Sequence, residues 1–197
     1  MSVILYACST NAGKLREFSL AAGSGYQIDP LPGLPRIPAP EENGVTFEEN
    51  ASTKSAYYSN FASELVFADD SGLEVPSLDN APGVYSARFA GPDATDLANN
   101  EMLLKKLAGV NDRSARFVCV VALARSGQVL QTFRGWVEGT LLHAPRGLNG
   151  FGYDPLFFYP PMQRSFAELG ADEKFAVSHR GKALRKMLSW IDLHPRP

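Results

Sequence analysis

The sequence predicts a protein built from both helices and strands. An apolar run at residues 3–8 precedes a small polar loop and then apolar residues at helical spacing, which is typical of a strand–loop–helix unit. Thr46, followed by Glu49 three residues later, is a capping box that predicts a helix running to about Phe61. A strongly apolar run at residues 116–124 and a second long strand-like stretch at residues 129–142 are separated by a Ser-Gly-Gln turn, which predicts a β-hairpin.

Composition limits the class of protein. The chain has 197 residues, enough for one large domain or two small lobes that share a core. A net charge of -2 argues against a general nucleic-acid binder. Cys8 and Cys119 each lie in an apolar run and are predicted to be reduced, buried thiols, and three histidines are too few to build a zinc site with them. Neither a signal-peptide pattern nor a run of transmembrane length is visible, so we expect a cytoplasmic protein without a membrane partner.

The remaining elements follow one another without a repeat or a flexible linker, which predicts a single domain over residues 1–197. Proline removes backbone donors, so the proline-rich residues 30–40 predict a stiff connection rather than a central strand. The other predicted elements are strands at residues 26–31, 65–68 and 156–159, a helix capped by Thr95 or Asp93 that runs to Leu107, and a last helix that opens at Ser178.

Two adjacent carboxylates, Asp69 and Asp70, directly follow the predicted strand at residues 65–68. Burying like charges side by side is costly, and a divalent cation is the usual compensation. Phosphate chemistry needs such carboxylates to bridge a cation to the substrate and to activate water. The alternative is that the pair caps a turn before Ser71 and Gly72.

The polar loop at residues 9–14 precedes a helix that is predicted to start near Gly13. Backbone N–H groups at a helix N-terminus attract anions, and Lys14 stands where it can reach a phosphate. The alternative is a well-capped helix with an exposed Lys14. On the next helix, Asn50 and Lys54 share a face with Phe47 and either point into a cleft or are solvated.

Two further segments carry chemistry. In the glycine-rich loop at residues 143–155, glycines flank Phe151 and let the backbone approach a ligand, and the aromatic ring either stacks on a base or packs in the core. At the start of the last helix, His179 and Arg180 oppose the helix dipole. This placement indicates that they serve an anion or a carbonyl, unless they are simply an exposed basic pair.

Taken in order, six motifs closely resemble the inosine/xanthosine triphosphate pyrophosphatase family. The resemblance extends from about Ile4 to Met187. The motifs are Ser-Thr-Asn-Ala-Gly-Lys at 9–14, Phe-Glu-Glu-Asn-Ala at 47–51, Ala-Asp-Asp-Ser-Gly-Leu at 68–73, Ala-Pro-Gly-Val-Tyr-Ser-Ala-Arg at 81–88, Gly-Phe-Gly-Tyr-Asp-Pro at 150–155 and Ser-His-Arg-Gly at 178–181.

The resemblance implies an elongated α/β fold in which a long, twisted mixed β-sheet spans two lobes, with the active site in the cleft between them. It implies Mg²⁺-dependent hydrolysis of non-standard purine nucleoside triphosphates (ITP, dITP and XTP) to the monophosphate and pyrophosphate. It also implies a homodimer, and no nucleic-acid partner is expected.

The resemblance further implies a role for each matching residue. Asp70 is the expected proton acceptor and, with Glu42, the expected metal ligand, although Glu41 is an alternative to Glu42 and Asp69 is expected to support Asp70. Thr10 departs from the smaller or amide residue that many members carry. The residues expected to contact substrate are Ser9, Thr10, Asn11, Ala12, Gly13 and Lys14 (triphosphate), Ser71, Phe151, Gly152, Tyr153 and Asp154 (base and sugar), and Lys174, His179 and Arg180 (the 6-keto group).

Two other functions fit parts of the pattern. A related nucleotide pyrophosphatase of the Maf type shares the architecture but not the Ser-His-Arg and Phe-Gly-Tyr-Asp motifs. A non-catalytic nucleotide-binding protein would keep the pocket and lose the reaction, but Asp70 and Lys14 are both present.

Overall fold

The computed structural model describes residues 2–22 and 25–194. Within these ranges, seven strands form one mixed sheet in the order β2-β1-β3-β4-β5-β6-β7. The strands are β1 (Val3–Ala7), β2 (Tyr26–Pro30), β3 (Leu65–Glu74), β4 (Ser114–Arg125), β5 (Gln128–Leu141), β6 (Phe157–Tyr159) and β7 (Arg164–Ser165). The α-helices are α1 (Ala12–Leu20), α2 (Phe47–Tyr58), α3 (Asp96–Lys106), α4 (Ala171–Val177) and α5 (His179–Leu193). The predicted mixture of helices and strands is confirmed.

Several local predictions are confirmed with their physical causes. The Thr46 hydroxyl accepts from the Glu49 N–H, and the Glu49 carboxylate accepts from the Thr46 N–H, so the capping box that starts α2 is complete. Thr95 caps α3 by accepting from the Ala98 N–H. Between β4 and β5, Ser126 and Gly127 both have positive φ, as the two-residue hairpin turn of type I′ requires.

The strand that carries the aspartates differs from the prediction. We expected it to end at Ala68, and the alternative to a metal site placed Asp69 and Asp70 in a turn, but β3 continues to Glu74. The turn reading of the pair is therefore wrong. Polar residues followed by glycine are typical of a turn, yet here the pairing of β3 with neighbouring strands overrides that local preference.

The chain divides into two compact units. The first comprises residues 1–70, 119–135 and 179–197. In it, β1 pairs in parallel with both β2 and β3. Strand alternation places Val66 and Ala68 on the face of β3 that packs against Tyr58 of α2. Phe67 lies on the opposite face, where its ring meets Phe18 of α1 edge-on at 5.1 Å between centroids.

The second unit comprises residues 71–118 and 136–178. Its edge is antiparallel, with β6 between β5 and β7. The core of this unit is aromatic and aliphatic: Phe117, Phe157 and Phe166 contact one another and pack with Leu73 and Leu103. Tyr153 and Leu156 belong to the same cluster, so the chain before β6 is packed into this core.

Two further observations complete the fold. Cys8 and Cys119 are free and buried, as predicted, and both belong to the first unit. Among the described residues, no helix is both long enough and apolar enough to cross a bilayer.

Candidate functional site

Asp69 and Asp70 form the centre of the site in the first unit. They occupy successive positions of β3, so their side chains point to opposite faces of the strand. Both residues are buried, with 3% of Asp69 and 9% of Asp70 exposed. Each carboxylate therefore depends on the partners that its own face provides.

Cations surround Asp69. Lys14 Nζ lies 2.9 Å from Asp69 Oδ1, and Arg180 Nε lies 3.3 Å from Oδ2. The Arg180 guanidinium also pairs with Glu17 at 2.5 Å, and the Cys119 thiol lies 3.7 Å from Asp69 Oδ2. Burial alone would raise the pKa of Asp69, but Lys14, Arg180 and Lys54 outweigh it and hold the pKa well below its ordinary value. Asp69 is therefore ionised and firmly held.

Asp70 is compensated less completely. Asn50 donates to Asp70 Oδ2 at 3.1 Å, and Lys54 Nζ lies 3.7 Å from Oδ1, beyond hydrogen-bond distance. Burial raises the pKa of Asp70 above its ordinary value, because Lys54, Lys14 and the Asn50 hydrogen bond offset the desolvation only in part. Asp70 is consequently the more basic of the two carboxylates.

Lys54 links Asp70 to an acidic residue on the preceding connection. Its ammonium lies 2.8 Å from Glu42 Oε2, whereas Glu41 is exposed and accepts from Asn43. Burial alone would lower the pKa of Lys54, but Asp70, Asp69 and Glu42 raise it, so the ammonium stays charged. Of the two glutamates considered from the sequence, Glu42 is the one that shares a cation with Asp70.

The donors around Lys54 suit a hard divalent cation. The described residues contain no group of three acidic, histidine or cysteine side chains that would hold a metal alone. Mg²⁺, however, is commonly bound through one or two carboxylates together with substrate phosphates. Glu42 and Asp70 supply two carboxylates, and Asp70 is a buried anion with incomplete compensation. The residues thus fit a cation that binds together with a phosphate-bearing substrate.

The loop before α1 is organised by its own side chains. The helix starts at Ala12, one residue before the predicted Gly13. Asn11 is the N-cap and accepts from the Lys14 N–H at 3.0 Å, and the Ser9 hydroxyl accepts from the Asn11 N–H at 3.2 Å. Thr10, Asn11 and Ala12 are exposed, and Gly13 is buried. The exposed helix N-terminus keeps the polarity that favours an anion.

The start of α5 is buried rather than exposed. Only 4% of His179 and 1% of Arg180 is accessible, so the reading of these residues as an exposed basic pair is wrong. Arg180 serves anions within the protein, namely Glu17 and Asp69. Its position in the first turn of α5 is tolerated because these two carboxylates neutralise it.

The second unit carries the glycine-rich loop. Asp154 is buried, accepts from the Phe151 N–H at 2.9 Å and pairs with Lys174 at 2.5 Å. The Lys174 ammonium lies 4.7 Å from the centre of the Phe151 ring, and this ring is partly exposed rather than part of the aromatic core. Ser71, also in this unit, is half-buried on β3. Phe151, Asp154 and Lys174 therefore form a second polar group with an aromatic face.

Gly150 was predicted to let the backbone approach a ligand, but the structure gives another reason for a glycine there. A Cβ on Gly150 would lie 2.0 Å from Asp154 Oδ2, so this glycine makes room for the buried carboxylate. A Cβ on Gly152 would meet nothing within 4 Å, and glycine is favoured there by a φ of +62°. Close approach to a ligand is thus not needed to explain Gly150.

Sequence reasoning missed several residues of the site. For Asn50 and Lys54 the sequence did not decide between a cleft and solvent, yet both lie against Asp70. Glu17 was not considered, and it pairs with Arg180, a partner of Asp69. The available signal was helical spacing: Asn50 and Lys54 share the face of α2 that carries buried Phe47. Nothing local to Glu17 indicates an arginine from the far end of the chain.

Known proteins match this chain over nearly the same residues as the six motifs, which extend from about Ile4 to Met187. The Ham1 family model matches residues 5–190. A dITP/XTP pyrophosphatase of Exiguobacterium sp. (strain ATCC BAA-1283 / AT1b) is 51% identical over 93% of this chain and 94% of its own, and one of Acidobacterium capsulatum is 48% identical over 96% and 98%.

Solved structures agree with the sequence matches. A HAM1 protein from Coxiella burnetii superposes with a TM-score of 0.86 at 38% identity, covering 96% of this chain and 98% of that one. The Staphylococcus aureus Ham1 protein gives a TM-score of 0.85 at 38% identity, with 97% and 99% covered. The resemblance seen in the motifs and the mixed α/β fold are thus confirmed, and the chain belongs to the Ham1 family.

Proposed function

We propose that this protein hydrolyses the non-standard purine nucleoside triphosphates ITP, dITP and XTP to the monophosphate and pyrophosphate. The observation that carries the proposal is the asymmetry of the aspartate pair: Asp69 is held by two cations, whereas Asp70 is buried, more basic and incompletely compensated. The relatives named dITP/XTP pyrophosphatase support the substrate class, because they match this chain over nearly their whole length.

Phosphate binding is assigned to the loop before α1. We infer that Ser9, Thr10, Asn11, Ala12, Gly13 and Lys14 hold the triphosphate. The exposed N-terminus of α1 supports this role, and so does the Lys14 side chain, which keeps 18% of its surface accessible while it pairs with Asp69. The Lys14 ammonium, which pairs with the Asp69 carboxylate, can also form a charge-assisted hydrogen bond with a phosphate oxygen.

Glu42 and Asp70 are assigned to Mg²⁺. Bound to these carboxylates and to phosphate oxygens, the ion would neutralise negative charge that develops on the triphosphate. The assignment is supported by Lys54, whose ammonium lies near both carboxylates and so brings Glu42 and Asp70 together around one positive charge. Lys54 supplies a further positive charge beside both carboxylates.

The proton transfer is assigned to Asp70. A water oxygen forms a bond to the α-phosphorus, the bond from that phosphorus to the bridging oxygen breaks, and pyrophosphate leaves. The proton of the water passes to Asp70 Oδ1, since Asn50 already donates to Oδ2. The raised pKa supports this role, because a more basic carboxylate is a better proton acceptor.

Recognition of the base and sugar is assigned to Ser71 and to the loop Phe151, Gly152, Tyr153 and Asp154, with Phe151 stacking on the purine. Its partly exposed ring supports stacking. Lys174, His179 and Arg180 are assigned to the 6-keto group, and for Arg180 this contact adds to its internal pairs. Adenine carries an amino donor at this position and would leave a buried donor without an acceptor.

Assembly and location remain proposals of the same kind. We infer a homodimer, as the resemblance implies, and light scattering at micromolar protein concentration would reveal a monomer if that is wrong. We also infer a cytoplasmic site of action, because nucleoside triphosphates are drawn from the cytoplasmic pool.

The decisive experiment is pyrophosphate release from ITP, dITP, XTP, GTP and ATP, and from modified pyrimidine triphosphates, with Mg²⁺ at neutral and alkaline pH. We expect the hypoxanthine and xanthine nucleotides to be hydrolysed fastest, with pyrophosphate rather than stepwise phosphate as product. Preference for the pyrimidine triphosphates would indicate the Maf-type activity instead. Tight ITP binding without turnover would indicate a non-catalytic nucleotide-binding protein.

A further inference from the structure

Two side chains from the first turns of α3 hydrogen-bond the backbone of one residue in the glycine-rich loop, Gly152. The Gly152 N–H donates to Asp96 Oδ2 at 2.6 Å, and the Gly152 carbonyl accepts from Asn100 Nδ2 at 2.8 Å. Asp96 and Asn100 are four residues apart, so they lie on the same face of the helix. One helix face thus satisfies both the donor and the acceptor of a single residue.

The Asn100 side chain is committed to this contact. Its amide nitrogen also donates to the Asp96 carbonyl at 2.8 Å, so both of its neighbours are carbonyl oxygens, and only the NH₂ group can face them. The Asn100 Oδ1 atom is buried and has no hydrogen-bond partner among residues 2–22 and 25–194. Leaving a buried acceptor unpaired costs free energy, which indicates that the orientation toward Gly152 is worth that cost.

The two hydrogen bonds from Asp96 and Asn100 to Gly152, here called the clamp, lie next to Phe151 in the sequence. Gly152 has a left-handed backbone, with φ of +62°, and follows Phe151 directly. The flanking groups are tied as well, because Asp154 accepts from the Phe151 N–H and the Tyr153 hydroxyl donates to the Ser86 carbonyl at 2.8 Å. With Gly152 held at both its N–H and its carbonyl, the backbone that carries the Phe151 ring is fixed from α3.

We propose that Asp96 and Asn100 are positioning residues for base recognition. Neither residue is among those assigned to the triphosphate or to the proton transfer. They fix Gly152 and thereby the orientation of the Phe151 ring, which lies 4.7 Å from the Lys174 ammonium. The ring on which a purine stacks therefore also sets how the 6-position of that purine meets Lys174. The inference rests on the proposed function, and it extends the site to a helix that carries none of the residues assigned to substrate. Small displacements of a positioning group cost up to about 100-fold in rate, so losing one tether is expected to be visible in kinetics.

The test compares kcat/KM for ITP with kcat/KM for ATP, two substrates with the same triphosphate and different groups at the 6-position. Asp96→Ala and Asn100→Ala are expected to lower the ratio of the two values by about tenfold, chiefly through a loss with ITP. Asp96→Asn keeps an oxygen that accepts from the Gly152 N–H and is expected to restore a ratio near that of the wild type. Equal losses with both substrates, or no loss in either alanine variant, would overturn the inference.

A matched control lies in the same unit. Asp112 also uses its carboxylate to accept a backbone N–H, that of Ser114, but has no contact with Gly152 in the described structure. Asp112→Ala is expected to leave the ITP to ATP ratio unchanged. Hydrogen exchange gives a readout independent of turnover: amides at residues 149–154 should exchange faster in Asp96→Ala than in Asp112→Ala. Unaltered exchange in that segment would count against the clamp.

Failure of the proposed hydrolysis and failure of the positioning role of Asp96 and Asn100 give different results. If the wild type releases no pyrophosphate from any purine triphosphate, the proposed function fails. Equilibrium binding of ITP and ATP to the same variants then decides the inference. A preference for ITP that falls in Asp96→Ala and recovers in Asp96→Asn supports it, and a preference that does not change contradicts it.

Discussion

Adjacent carboxylates on one strand have opposite shifts of pKa, and this difference decides their roles. The pKa of Asp69 is lowered by Lys14, Arg180 and Lys54 despite burial, whereas burial raises the pKa of Asp70. A lowered pKa means that the ionised group stabilises the folded state, and a raised pKa means that ionisation destabilises it. Asparagine at each position should therefore have different consequences.

At position 70, asparagine should remove activity and spare the fold. The proposed proton acceptor is lost, and turnover of ITP with Mg²⁺ should fall by about 10²–10⁴-fold. The melting temperature should not fall, because a neutral amide avoids the cost of burying an incompletely compensated anion. Steady-state kinetics and calorimetry measure the two effects, and hydrolysis near the wild-type rate would show that Asp70 is not the base.

At position 69, asparagine should lower stability instead. Removing one partner of a buried ion pair leaves Lys14 and Arg180 without their shared counter-charge, which costs about 3–5 kcal/mol. The lowered pKa makes the contribution of Asp69 complete above the unfolded-state value of about 4, and it is lost as the pH falls below that. Urea unfolding should show a large deficit at pH 7 that narrows toward pH 3, and a deficit independent of pH would contradict the ion-pair explanation.

The site was only partly predictable at the scale of residues. The motif around Asp70 identified the strand that carries the aspartate pair. Glu42 shares Lys54 with Asp70, and its role as a metal ligand stays a prediction. The partner of Asp69 was not predictable in the same way, because Arg180 lies 111 residues away in sequence. Local patterns report helix caps and turns, whereas compensation of a buried charge depends on contacts that only the folded chain creates.

At the scale of elements, β5 and α5 approach so closely that only glycine fits between them. A Cβ on Gly135 would lie 2.2 Å from the His179 carbonyl and 2.6 Å from the Ala183 N atom. Both are backbone atoms, so a side-chain rotation cannot relieve the contact. The start of α5, which carries Arg180, is therefore seated directly on this position of the sheet.

Gly135→Ala should destabilise the protein by about 1–3 kcal/mol, the usual cost of overpacking, and should displace the start of α5. Denaturant unfolding measures the change. Gly25→Ala is the matched control, because a Cβ there meets nothing within 4 Å and no left-handed φ is involved. Equal stability of the two variants would show that the close approach carries no energetic weight.

Elements were predictable where a local signal is complete. The Thr46 capping box and the Thr95 cap start their helices at the expected places, because each satisfies backbone donors within a few residues. The continuation of β3 through Asp69 and Asp70 was not predictable from its own sequence. Its regularity depends on neighbouring strands, which lie far away along the chain.

At the scale of the whole molecule, metal dependence should appear only with substrate. No set of three acidic, histidine or cysteine side chains in the described ranges is placed to hold a metal, and the proposed ion needs phosphate oxygens as well. EDTA should therefore abolish pyrophosphate release and leave the melting temperature unchanged, and added Mg²⁺ should restore activity. Full activity in excess chelator would rule out the metal assignment, and a large drop in melting temperature would indicate a structural metal.

The two buried cysteines allow opening of the first unit to be measured by thiol alkylation. Burial raises the pKa of the Cys8 thiol to about 12 and that of Cys119 further, so in the folded protein neither thiol has the exposure or the thiolate population needed for rapid alkylation. Since the chain has no other cysteine and both belong to the first unit, alkylation records the opening of that unit alone. Comparing its rate with the loss of total secondary structure distinguishes cooperative unfolding from separate opening of one unit.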